Sequence, residues 1–113
     1  LDFFYNSKYI INSELIKLDT IENEFNRYNL KKADILKIDT EGFEFDVIKG
    51  AHNQIKKIKY IYFEHHYDSM IIKDYTFRDV NKYLNQFNFT KALKIKMPFR
   101  KTFEYIYINK DLK

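Results

Sequence analysis

The chain has 113 residues, 45% of them hydrophobic and 32% charged, the balance of one globular domain with one core. Cysteine is absent and no apolar run approaches the roughly 20 residues that span a bilayer. These absences exclude a disulfide framework, a thiolate metal site, a Cys nucleophile and a membrane-spanning helix. The net charge is +4, but Arg is confined to Arg27, Arg78 and Arg100. Lys, Ile, Asn, Tyr and Phe, all with A/T-rich codons, supply more than half of the chain. The basic balance therefore reads as codon bias, and nucleic acid is not an expected partner. No signal-peptide pattern is present, so a cytoplasmic location without a membrane partner is expected.

In chain order, hydrophobic periodicity alternates between 2 and 3.6, as in an α/β fold. A short strand is predicted at Leu15–Leu18. Asp19 or Thr20 then caps a helix carrying Ile21, Phe25 and Tyr28 on one face. Ile35–Asp39 reads as a buried parallel strand, followed by a turn at Thr40–Phe43 and a helix over Glu44–Lys49. Gly50 stands where a C′ residue with positive φ is common, and a second short helix is predicted over Asn53–Lys57. Tyr60–Glu64 is the next buried strand, and His65–Tyr75 reads as a loop. Thr76 and Asp79 form a capping box for a helix that buries Phe77, Val80, Leu84 and Phe87. Ala92–Met97 and Phe103–Ile108 follow as an antiparallel hairpin through Pro98.

Ligands of open α/β sheets bind beyond the carboxyl ends of parallel strands. Asp39 and Glu64 both fall there, with His65 and His66 directly after Glu64. Two close carboxylates raise one another's pKa or favour a cation between them. The plainer reading of Asp39 is a helix cap or turn former. Lys37 shares a strand face with Asp39 in a run that reads as buried, where an ion pair is its expected role. Gly42 and Gly50 are the only glycines, which suggests positions where a side chain is not tolerated and excludes a Gly-rich phosphate loop. Met70, Ile71 and Ile72 lie in the predicted loop, either as an apolar wall for a substrate or packed on the sheet edge.

The run Lys37-Ile-Asp-Thr-Glu-Gly-Phe-Glu44, followed by Val47-Ile-Lys-Gly-Ala51, resembles the signature of FkbM-type methyltransferases. Leu18-Asp19 resembles the family's Thr-Leu-Asp element, with Lys17 in place of the Thr. Tyr62-Phe-Glu64 resembles its next strand, and Leu84–Phe89 its Leu-x-x-x-Gly-Phe helix end, with Asn88 in place of the Gly. The resemblance implies the second half of a Rossmann-like class I methyltransferase sheet, mostly parallel and closing on an antiparallel hairpin. Residues 1–113 are then a partial domain. The Gly-rich loop that cradles S-adenosylmethionine belongs to an N-terminal half not contained here, and a chain that begins at Leu1 rather than Met fits a fragment.

The resemblance further implies transfer of a methyl group to a hydroxyl of a small molecule, sugar, glycan or secondary metabolite. Asp39, Thr40, Glu41 and Gly42 are the candidates for touching the cofactor. Asp39, Glu64, His65 and His66 are the candidates for chemistry, Asp39 by orienting charge and one of the other three as general base. A His pair beside Glu64 also suits a metal, but with three His in the chain none is expected. The alternative is a non-catalytic half-domain that serves as an interaction piece or is a remnant.

Overall fold

In the computed structural model the structure describes residues 14–113. The elements in order are α1 (Ile21–Arg27), β1 (Ala33–Ile38), α2 (Glu44–Lys49), a 3-10 helix (His52–Lys57), β2 (Ile58–His66), α3 (Phe77–Gln86), β3 (Phe89–Lys96) and β4 (Thr102–Asn109). The fold is mixed α/β, with one four-stranded sheet in the order β1-β2-β4-β3. No helix among the described residues is long and apolar enough to cross a membrane.

Local chemistry sets the helix starts. Thr20 is extended and its side chain accepts the Asn23 N–H, while Asp19 accepts from the Asn23 side chain and from Arg27. Thr76 and Asp79 make the reciprocal capping box that opens α3, and Val80 and Leu84 are buried one turn apart. Asn88, standing where the resembled family has Gly, takes the left-handed conformation with φ 63°.

The expectation of a mostly parallel sheet closing on an antiparallel hairpin holds in part: β1, β2 and β3 run the same way and β4 runs against them. Only β1 and β2 pair in parallel among the described strands. The hairpin folds back so that β4, not β3, lies against β2, and both β2–β4 and β4–β3 are antiparallel. The predicted strand at Leu15–Leu18 does not form: no described strand pairs with it, and Leu15, Ile16 and Leu18 are exposed.

β1 begins two residues earlier than predicted and is not buried throughout. Only Ile38 is buried, and Ile35 is 58% exposed. The cause is topological: β1 has no described neighbour on its outer side, and the helices cover one face of the sheet. That covered face carries Ile38, Ile61, Phe63, Tyr105 and Tyr107. The opposite face carries Ile35, Tyr60, Tyr62, Ile106, Leu93 and Ile95, all partly or fully open. Aromatic rings fill much of the core. Phe63 stacks on Tyr105 and Tyr107 at centroid distances of 5.6 and 5.8 Å, and Phe77 stacks on Tyr105 at 4.3 Å. The buried phenols find partners, Tyr105 with Tyr67 and Tyr107 with Asn81.

Two further expectations change. Gly50 is right-handed, φ −65°, because the chain runs straight on into the 3-10 helix; its carbonyl accepts the Glu22 N–H and an added Cβ would meet the Thr20 Cβ at 3.7 Å. β2 runs on through His66 rather than ending at Glu64, because β4 pairs with it as far as Thr102.

Candidate active site at the carboxyl end of β1 and β2

The turn after β1 is held by one side chain. Glu44, the first residue of α2, is 2% exposed and reaches back over the turn. Its carboxylate accepts the Thr40 N–H and hydroxyl at 3.2 Å each, the Gly42 N–H at 3.1 Å and the Tyr75 hydroxyl at 2.7 Å. Burial works against the charge on Glu44, but the Tyr75 hydroxyl and these N–H groups outweigh it and hold the pKa below the ordinary value. Burial and the same hydrogen bond push the Tyr75 phenol up.

Gly42 is where the chain needs glycine. Its φ is +113°, and a Cβ there would lie 2.6 Å from the Ile72 carbonyl oxygen and 2.9 Å from Ile71 Cγ2. The residue is buried under that loop, so the close approach is made by backbone. Thr40 and Gly42 both give their backbone N–H groups to Glu44. Asp39 and Glu41 are exposed on the same turn, with Glu41 at φ 55°.

Register brings Glu64 to them. Ile38 pairs with Phe63, so Asp39 and Glu64 lie one step beyond on neighbouring strands. One carboxylate oxygen each from Asp39, Glu41 and Glu64 lie within 4.8 Å of one another. The pleat then separates the two histidines. His66 lies on the face of Glu64, with Nε2 3.3 Å from Glu64 Oε2 and Nδ1 3.1 Å from the Thr102 hydroxyl. His65 lies on the covered face, 2% exposed, among Tyr67, Tyr75 and Phe77. Burial, helped by Lys73, lowers its pKa to about 4, and its Nδ1 has no hydrogen-bond partner.

A cavity of about 160 Å³ opens beside the carboxylates, lined by Glu41, His66, Asp68, Met70, Ile71, Arg100 and Thr102. On the other side of the turn a larger, mostly apolar cleft of about 430 Å³ is lined by Leu18, Ile21, Thr40, Phe43 and Val47. The turn thus separates a hollow of mixed polar and apolar lining from a mostly apolar one.

The structure therefore groups Asp39, Glu41, Glu64 and His66, sets Thr40 on the apolar side, buries Gly42, and turns His65 away. Lys37 is corrected: it is exposed, its ammonium standing 5.4 Å from the Tyr62 ring centre rather than in a buried ion pair. Ile71 packs on Gly42, Met70 and Ile71 both line the cavity, and Ile72 is exposed. Glu44, Tyr75 and Thr102 escaped the sequence reading; the signal for Glu44 was a carboxylate at a helix start directly after a glycine turn.

A family model described as the Methyltransferase FkbM domain matches residues 2–91. No curated relative and no solved structure matches the chain.

Proposed function

The chain belongs to the FkbM methyltransferase family, and on that premise we propose that it is the C-terminal half of an S-adenosylmethionine-dependent O-methyltransferase. One observation carries the reading. Asp39, Glu41 and Glu64 gather at the carboxyl end of the parallel strand pair, with His66 directly behind Glu64. That is the rim where ligands of a Rossmann-like sheet bind.

The residues present suit the charged end of the cofactor and not its adenosine. The carboxylates form an anionic rim for a sulfonium, while the chain's two glycines leave no Gly-rich cradle. When bound, the cofactor supplies an electrophilic methyl group. Asp39 orients the acceptor hydroxyl at the rim and fixes its approach. Glu64 would take the hydroxyl proton as the oxygen bonds to the methyl carbon and the carbon–sulfur bond breaks, with His66 behind it held at Nδ1 by Thr102. His65 takes no part, since it lies on the other face of β2. The hollow beside Arg100 and Asp68 offers polar partners to an acceptor hydroxyl, as on a sugar, glycan or secondary metabolite.

The test is transfer of labelled methyl from S-adenosylmethionine to a panel of hydroxylated acceptors, using the protein with its upstream sequence. Asp39 makes no ion pair among the described residues, so Asp39→Asn should keep the melting temperature. Turnover should fall by ~10²-fold or more, the scale of losing a positioned electrostatic group. Near-normal turnover in a folded Asp39→Asn protein removes Asp39 from the chemistry.

A further inference from the structure

We propose that Asp39, Glu41 and Glu64 bind a hard divalent cation, with His66 completing or orienting the ligand set. Three His are too few to make a metal the expectation from sequence, although close carboxylates favour a cation, so the inference rests on the geometry. Three carboxylate oxygens from three residues lie within 4.8 Å of one another. An ion that holds oxygen ligands at roughly 2.0–2.6 Å places ligands on opposite sides about 4–5 Å apart. The observed spacing matches that span before any side chain moves.

Clustered acids alone are common. The second observation is His66, which is 9% exposed. Its Nδ1 is engaged by the Thr102 hydroxyl. Its Nε2 is sealed from solvent and makes no hydrogen bond, although Glu64 Oε2 is only 3.3 Å away. A buried nitrogen beside a carboxylate, with no hydrogen bond between them, is an unmet demand. A cation placed among the acids satisfies it, either by taking the Nε2 lone pair or by turning Glu64 so that an N–H can reach it.

The surrounding charge points the same way. Some acids elsewhere have a cationic partner, Asp19 and Glu24 with Arg27 and Asp46 with Lys49. Among the described residues no Lys or Arg ion pair reaches Asp39, Glu41 or Glu64. The turn that carries two of the three is already fixed by Glu44 and by the loop over Gly42. A donor set of carboxylates with at most one imidazole and no thiolate favours Mn²⁺, Mg²⁺ or Ca²⁺ over softer ions. In the methyl-transfer reading, such a cation would hold the acceptor oxygen in place of direct contact with Asp39.

Binding is measured without cofactor or acceptor, so it is independent of the proposed activity. Mn²⁺ is titrated into the metal-free full chain and followed by calorimetry and by loss of the free-ion electron paramagnetic resonance signal. One Mn²⁺ per chain is expected, displaced by Mg²⁺ or Ca²⁺, with a rise in the melting temperature. Glu41 is exposed and its exchange does not threaten the core. Glu41→Gln should weaken binding by at least ~10-fold at unchanged melting temperature. Asp34→Asn, at the other end of β1, should bind as the wild type does. The proposal is overturned by no saturable binding at millimolar Mn²⁺, or by equal binding in Glu41→Gln and wild type. It is equally overturned by an Asp34→Asn loss as large as that of Glu41→Gln.

Discussion

Glu44 offers the most direct test of how the signature run works, because the structure makes it a brace for the turn. Four donors converge on its carboxylate, and they are not equivalent. The Thr40 N–H and hydroxyl sit on an exposed residue and can turn to water when the carboxylate is removed. The Gly42 N–H and the Tyr75 hydroxyl are buried and cannot. A buried donor left without a partner costs about 1–3 kcal/mol, so Glu44→Ala should lose roughly 3–5 kcal/mol once the lost packing is included. Glu44→Gln keeps the volume and one acceptor but gives up the charge, and should lose about 1–2 kcal/mol. Tyr75→Phe should lose a similar amount, and the double variant should show a coupling of about 1 kcal/mol. Urea unfolding followed by far-ultraviolet circular dichroism and tyrosine fluorescence reads these values, there being no Trp. Acid adds a second check. The Glu44 pKa is lowered in the folded state, so its contribution is present above the ordinary value of 4.5 and is lost as pH falls below it. Glu44→Ala should lack that part of the acid loss. An Ala variant within about 1 kcal/mol of wild type, or strictly additive losses at Glu44 and Tyr75, would refute the brace.

Gly42→Ala should lose roughly 2–4 kcal/mol in the same urea assay, since its Cβ meets the Ile72 carbonyl at 2.6 Å and its φ is +113°. A loss below about 1 kcal/mol would mean that the loop yields freely. His65 sets a different pH window: unfolded it takes a proton near pH 6.5, folded not until about 4. Stability should therefore be full above pH 6.5 and fall by at most about 3 kcal/mol on the way down to pH 4. His65→Phe should flatten that slope, and an unchanged slope would sink the assignment.

What the sequence made legible was local. The capping box at Thr76 and Asp79, the left-handed Asn88 and the hairpin through Pro98 each depend on neighbours within a few residues, and each appears in the structure. The signature run was equally plain, and the family match bears it out. Pairing was not legible. Nothing in the order of residues says that β4 rather than β3 lies against β2, and that choice also lengthens β2 through His66. The polar run Glu64-His-His66 hid a strand because one face of it is the site and the other is the core. Lys37 looked buried only because its apolar neighbours were assumed to be covered on both sides, and one side is open. The brace at Glu44 depends on where Tyr75 arrives from 31 residues away, which spacing alone does not reveal.

The two outer strands of the sheet differ in how they meet a newcomer. β3 carries Lys91, Lys94 and Lys96, and its pairing frame shifts between Lys91 and Leu93. Charge and irregular spacing of this kind repel an added strand. β1 is regular, offers a half-exposed apolar Ile35, and has Lys37 as its only cation. Of the two described edges, β1 is therefore the one better suited to take a further strand. The candidate site lies at the end of that edge, so a strand pairing with β1 would also wall the site.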